Sequence, residues 1–231
     1  MKTIGIVGGI GPESTIDYYR GIIDAFKEKA GGFSYPEIIV YSVNLSELLM
    51  MMENREWTRL TKWLVEKVEA LRRAGASFAA IGANTPHIVF DDVDARASLH
   101  VISIIEETCR TANRRGLKKP LLLGTKFTME SDFYQKPFHE RGMSVIVPEY
   151  EDREYIHLKL MSEIELGIMR ESTRDGLLAI VKKMMAKEGI DSVVLGCTEL
   201  PLILRRDEFG IPFLNTTAIH IESIVTYCLS T

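Results

Sequence analysis

The feature that most constrains the fold is an alternation of short apolar runs with longer amphipathic stretches. Lys2–Val7, Ile38–Val43, Phe78–Gly82, Leu121–Gly124 and Ser192–Gly196 are mostly apolar and read as short buried strands. His100–Ile102, Met143–Val147 and Pro212–Leu214 read as further short strands. Between them, Pro12 suits the first turn of a helix that runs through ESTIDYYRGIIDAFKEKA to a glycine stop at Gly31. Glu56–Arg73 puts Leu60, Leu64, Val68 and Leu71 on one helical face. Helices are also expected near Ile104–Arg115, Met129–Glu140, Asp152–Leu166, Ser172–Lys187 and Thr217–Leu229. Strand alternating with helix predicts an α/β fold with mainly parallel sheets flanked by helices.

The pattern runs twice. GGIGPESTIDYY matches from Gly9 and GTKFTMESDFY from Gly124, pairing Asp17 with Asp132, Tyr18 with Phe133 and Tyr19 with Tyr134. The corners AIGANTPH and VVLGCTELP keep almost the same spacing, about 115 residues. Two pseudo-symmetric lobes are expected, residues 1–98 with 210–231 and residues 99–209, the last strand and helix returning to the first lobe. Ligands of parallel α/β sheets bind beyond the carboxyl ends of the strands. The corners Gly8–Ser14, Ala83–Thr85, Gly124–Thr128 and Cys197–Glu199 are therefore expected to meet in a cleft between the lobes.

Several functions are disfavoured by what the sequence lacks. With a net charge of −4 and no Lys/Arg cluster, nucleic acid is not an expected partner. No stretch approaches the roughly 20 apolar residues of a membrane span, and the apolar start is too short for a signal peptide. A cytoplasmic protein is expected. The three cysteines are odd in number and sparse, which predicts reduced thiols, and no spacing suggests a metal site. GGIGPES has Ser14 where a dinucleotide fingerprint has its third glycine, and no acidic residue ends the next strand, which argues against NAD or FAD.

Cys197 is the sharpest candidate. It follows a strand-ending glycine and precedes a helix start, where a thiol pKa falls and thiolate becomes accessible. The plain alternative is a packing cysteine, the reading given to Cys109 and Cys228. Polar Thr198 and Glu199 beside Cys197 favour function. Asn84, Thr85, Thr125 and Thr128 suit turns and caps, or a ligand with carboxylates and an amine. Gly11 belongs either to a tight turn or to a turn whose N–H groups meet a carboxylate. His87 is either an acid/base group titrating near neutrality or a capping or packing residue. His220 is placed to orient Cys197 or its loop, and Lys126 and Arg55 are basic candidates for a side-chain carboxylate.

GIVGGIGPESTIDYY, ANTPH, LLGTKFTM, LGCTELP and NTTAIH, in this order, resemble the aspartate/glutamate racemase superfamily, closest to the cofactor-independent aspartate racemases. The resemblance spans nearly the whole chain. It implies two α/β lobes, a homodimer, a small amino-acid substrate, and neither pyridoxal phosphate nor metal. It also implies two cysteines on opposite faces of the substrate Cα, one taking the α-proton as thiolate and the other returning a proton. Cys197 matches the second of these, with Asn84, Thr85, Thr125 and Thr198 at substrate-binding positions and Gly11 and Glu199 beside them. Ala83 stands where the first cysteine belongs, and Asn215 where an aspartate is common. An alanine cannot transfer a proton. Either water, His87 or another group serves that face of a racemase, or Cys197 acts alone, as in the arylmalonate decarboxylase and maleate isomerase relatives. Two readings remain: an Ala83 that replaces a natural cysteine so as to trap substrate, and a non-catalytic amino-acid binder.

Overall fold

The computed structural model describes residues 1–30 and 33–230, so the helix stop expected at Gly31 lies outside the described residues. In chain order the elements begin β1 (Ile4–Gly8), α1 (Pro12–Ala30), β2 (Ile38–Ser42), α2 (Leu45–Glu53) and α3 (Trp57–Arg73). They continue with β3 (Phe78–Ile81), α4 (Phe90–Asp94), β4 (Val101–Ile102) and α5 (Ile104–Arg114). The second half holds β5 (Pro120–Leu123), α6 (Lys126–Glu130), α7 (Gln135–Glu140), α8 (Tyr150–Ser162) and α9 (Glu171–Glu188). It closes with β6 (Ser192–Leu195), α10 (Leu200–Ile203), β7 (Phe213–Asn215) and α11 (Thr216–Leu229). All strand pairings in the two sheets are parallel, and helices flank both, as the α/β reading expects.

The chain divides into two compact units. The first is Met1–Glu107 with the stretch from Thr217 onward, and the second is Thr108–Thr216. In the first unit the strand order is β2-β1-β3-β4. Every residue of β1 and β3 is buried, the signature of parallel strands covered on both faces. Ile4, Ile6 and Phe78 pack with Tyr18, Ile22 and Phe26 of α1 and with Ile224 and Val225 of α11. Burying each large side chain of this kind contributes about 1.5–3 kcal/mol. In the second unit the order is β5-β6-β7, again with β5 and β6 buried throughout.

The boundaries differ from the expected lobes for a hydrogen-bonding reason. β4 pairs with β3 through Ala79↔Val101, so residues past 98 still belong to the first sheet. β7 pairs with β6 through Val193↔Phe213, so the last strand joins the second sheet and only α11 returns to the first unit. Met143–Val147 forms no strand but one isolated bridge, Leu121↔Ile146. The helix expected over Met129–Glu140 is two short ones, interrupted where Ser131 takes an extended conformation. Helices α2 and α4 were not expected.

The repeat is visible in the hydrogen bonds. Gly82 N–H donates to the Val7 carbonyl at 2.9 Å, and Gly196 N–H to the Leu123 carbonyl at 2.7 Å. The buried aromatics correct the sequence pairing by one place. Tyr18 and Tyr134 are both fully buried, whereas Tyr19 is 54% exposed, so Tyr18 is the counterpart of Tyr134.

Candidate functional site

In the second unit, β6 ends at Leu195 and the chain turns through Gly196 into Cys197, Thr198 and Glu199 before α10. A Cβ on Gly196 would come within 2.9 Å of the Leu123 carbonyl, so the close approach of β5 requires glycine there. Cys197 is buried, and its Sγ lies 3.0 Å from Glu199 Oε2 and 3.4 Å from Glu165 Oε1. The Thr198 hydroxyl donates to the same Glu199 oxygen at 2.8 Å. The other oxygen, Glu199 Oε1, is buried with no hydrogen-bond partner among the described residues.

Glu165 comes from a 3₁₀ turn, Ile164–Leu166, directly after α8. That turn is fixed by its neighbour Glu163, whose carboxylate receives Lys159 Nζ at 2.5 Å and the Thr173 hydroxyl. Gly167 then closes it in the left-handed region, at φ 74°. Burial, with the Glu199 carboxylate beside it, raises the Glu165 pKa to about 7.

These surroundings overturn the lowered thiol pKa expected for Cys197. Its pKa is pushed well above the usual range, first by burial and then by the Glu199 and Glu165 carboxylates. The expected helix dipole has little to offer, since α10 is a four-residue turn. At rest Cys197 is a protonated thiol facing two carboxyl groups. The three side chains place one thiol and two carboxylate oxygens within 4.8 Å of one another, a donor set that could also hold a metal ion. Tyr134 lies close enough for the Cys197 charge to help raise its hydroxyl pKa, behind the larger effect of burial.

Thr125 caps α6 in the same unit, its hydroxyl accepting from the Thr128 N–H at 3.3 Å and lying 3.1 Å from the Thr128 hydroxyl. Lys126 is paired with Glu154 at 2.5 Å. The Cys109 thiol donates to the Pro137 carbonyl at 3.2 Å, a packing position.

In the first unit, β3 ends at Ile81 and leads through Gly82 to Ala83, Asn84 and a 3₁₀ turn, Thr85–Val89. Ala83 and Asn84 are buried and Thr85 partly so. The backbone N–H of His87 donates to the Asn84 carbonyl at 3.0 Å. The His87 ring is buried, stacks on Phe90 at 4.9 Å, and has no partner for either nitrogen among the described residues. Burial, then the nearby His220 ring, lower its pKa to about 3. His87 does not titrate near neutrality and is a neutral imidazole at physiological pH.

His220 is also buried, which lowers its pKa to about 4. Its Nε2 lies 2.9 Å from the Ile102 carbonyl, which can only accept, so Nε2 carries the proton and Nδ1 receives the Tyr18 hydroxyl at 2.7 Å. Both nitrogens are engaged inside the first unit, where they tie α11 to α1 and β4. Within the first unit His220 is a structural cross-link.

The glycine-rich turn is braced by two internal hydrogen bonds. Gly9, at φ 80°, donates its N–H to the Thr15 hydroxyl at 2.8 Å, and the Gly11 carbonyl accepts from the Ser14 hydroxyl at 2.9 Å. That geometry fits the tight-turn reading of GGIGPES. Arg55 is exposed at φ 54° after α2. Cys228 donates its thiol to the Lys2 carbonyl at 2.9 Å. Among the described residues, no helix is long and apolar enough to cross a membrane.

Of the candidates, Cys197, Thr198 and Glu199 are joined by hydrogen bonds in one unit, and Ala83, Asn84, Thr85 and His87 lie together in the other. Glu165 escaped sequence reasoning, and Tyr134 entered it only as part of the repeat. EIELG carries no periodicity that separates the Glu165 carboxylate from its structural neighbour Glu163.

Residues 7–224 match the family described as Asp/Glu/Hydantoin racemase. The chain is 23% identical to the broad specificity amino-acid racemase RacX of Bacillus subtilis (strain 168), over 98% of each chain. An aspartate racemase homologue from Pyrococcus horikoshii OT3 shares 38% identity and superposes with a TM-score of 0.84 over 100% of both chains. The aspartate racemase of Picrophilus torridus shares 19% identity, covers 99% of this chain and 94% of its own, and has a TM-score of 0.76, a likeness of fold.

Proposed function

The chain belongs to the Asp/Glu/Hydantoin racemase family, and from that premise we propose that it is a cofactor-independent amino-acid racemase working with one cysteine. The observation that carries the proposal is the buried Cys197 thiol at the carboxyl end of β6, 3.0 Å and 3.4 Å from two carboxyl groups. To act as a base the thiol must first lose its proton, and Glu165 or Glu199 receives it. The thiolate then takes the α-proton. In reverse, the thiol delivers a proton to the carbanion and is reloaded from the same carboxyl group. An α-proton is a very weak acid, and positioned acid/base groups of this kind contribute roughly 10²- to 10⁴-fold each.

Two carboxylates around a thiol form a negative pocket, which suits the ammonium group of an amino acid. Asn84, Thr85, Thr125, Thr198 and Gly11 are assigned to the remaining polar groups of the substrate. Ala83 supplies no proton-transfer atom, and neutral His87 is too weak a base to replace one, so water is the proton carrier at that position. Aspartate and glutamate are the first substrates to test, and other amino acids follow from the likeness to a broad-specificity racemase. A cytoplasmic homodimer is part of the proposal.

Ala83 also favours a second reading, in which Cys197 only protonates a carbanion made another way, as in decarboxylation. The test is to incubate the protein with L- and D-aspartate and L- and D-glutamate in D₂O and follow the α-proton by NMR. Exchange with inversion supports the racemase. Carbon dioxide release from an arylmalonate without amino-acid exchange supports the second reading. Tight amino-acid binding with neither reaction leaves only a binder.

A further inference from the structure

Unit 2 holds a polar cavity that the proposed reaction does not use. Its volume is about 480 Å³, and it lies between the first turn of α9 and the segment that follows α10. Arg170, Arg174, Arg205 and Arg206 line it, over an apolar wall of Met169, Leu202 and Ile203. The acids nearby do not balance the four arginines. Arg174 is bridged to Glu171 at 3.2 Å and to Glu208 at 2.5 Å, and Arg206 shares the same Glu208 oxygen at 3.1 Å. Asp175 reaches Arg174 only at 4.0 Å and is largely exposed. Arg205 uses its Nε on the Leu202 carbonyl at 2.8 Å, and its two terminal amino groups have no partner among the described residues. Among the described residues, Arg170 has no carboxylate within ion-pairing distance. Four guanidinium groups therefore meet three carboxylates, those of Glu171, Asp175 and Glu208, which leaves a net charge of about +1 at one concave site.

We propose that this cavity binds a small organophosphate, with its phosphoryl oxygens on Arg170 and Arg205 and its carbon body on Met169, Leu202 and Ile203. Guanidinium forks match phosphoryl geometry in two parallel hydrogen bonds, and Arg is favoured wherever planar recognition of phosphate is needed. The volume lies within the range of small-molecule sites, and the apolar wall gives a sugar or base a surface that inorganic phosphate would not use.

The site is also placed to regulate. Leu202 and Ile203 belong to α10, which Cys197 and Glu199 lead into, and Met169 follows closely on the turn that carries Glu165. Ligand seated there presses on both segments that set the distances from Cys197 to its two carboxyl groups. This regulatory part rests on the racemase reading; the binding part does not.

The experiment is calorimetric titration of the purified protein with ADP, with pyrophosphate and with inorganic phosphate, repeated in the Arg170→Ala/Arg205→Ala double variant. Both arginines are exposed, and a thermal melt matching the wild type establishes that the variant is folded. ADP is expected to bind more tightly than inorganic phosphate, to weaken with added salt, and to lose roughly tenfold or more in affinity in the double variant. Amino-acid exchange without ADP is expected to stay within about twofold of the wild type, while ADP changes the wild-type rate by more than that. Absence of ADP binding at millimolar concentration, or binding that the double variant leaves intact, overturns the site. Aspartate competing for it overturns the ligand class. Binding with no effect on exchange overturns the regulation alone. If the protein shows no exchange with any amino acid, the titration still decides the site.

Discussion

The Ala83 and Cys197 corners are built alike and furnished differently. Each follows a fully buried parallel strand, turns at a glycine whose N–H bonds to the neighbouring strand, and continues into a short helical turn. The Cys197 corner carries a thiol between two carboxyl groups, one of them raised to about 7. The Ala83 corner carries a methyl group and a neutral histidine whose two nitrogens have no partner among the described residues. The scaffold places a loop, and the side chains decide whether that loop can move a proton. A repeat in the backbone is no guarantee of a repeat in the chemistry.

Removing the proposed proton-transfer atom breaks the comparison most severely. Cys197→Ser is expected to lower α-proton exchange by at least about 10³-fold with folding unchanged, measured by NMR in D₂O and by a thermal melt. Full activity in that variant removes Cys197 from the mechanism. Restoring the missing atom is the converse. Ala83→Cys is expected to raise racemisation about tenfold or more, because a positioned thiol is a better proton carrier than water. No gain counts against the missing-base account.

Much of this asymmetry was legible in the sequence. The β1, β3, β5 and β6 runs are short, apolar and closed by glycine, so the parallel sheets could be read directly, and GCTELP against GANTPH exposed the missing thiol. What could not be read were long-range pairings. β7 is three residues long and gives no sign of which sheet it joins. Glu165 meets Cys197 from a turn whose neighbour Glu163 is held by Lys159 and Thr173 of two different helices. The pKa of Cys197 departs from the sequence expectation for the same reason. A local rule about helix ends was outweighed by burial and by a carboxylate 32 residues away in the chain.

The histidine cross-link ties α11 to α1 and β4 within the first unit. Tyr18→Phe is expected to destabilise the protein by about 1–3 kcal/mol in a denaturant titration, because it leaves buried His220 Nδ1 without its donor. An unchanged midpoint would mean that the cross-link is not holding α11 to α1.

The smallest effects are in pH dependence, and they run in opposite directions at the two corners. The folded pKa of Glu165 is raised to about 7, so its protonated form stabilises the fold at low pH, and that stability is lost as pH rises through about 7. Glu165→Gln is expected to recover about 1–2 kcal/mol at pH 8, less than the full shift implies because the group is partly exposed. The folded pKa of His87 is lowered to about 3, so its neutral form stabilises above about pH 6.5, and that stability is lost as pH falls toward 3. His87→Phe is expected to flatten the acid side of the stability curve, read as melting temperature between pH 6.5 and 4.5. A curve that keeps its acid slope would place the proton uptake elsewhere.

The central claim is that one side of the reaction has a dedicated proton carrier and the other does not. The measurement is the ratio of α-proton exchange to inversion in D₂O, taken separately from the L and D enantiomers of one substrate. The predicted result is exchange that outruns inversion from one enantiomer only, as Cys197 returns a solvent deuteron to the face it deprotonated, with the difference shrinking in Ala83→Cys. Equal ratios from both enantiomers in the unaltered protein would contradict the account.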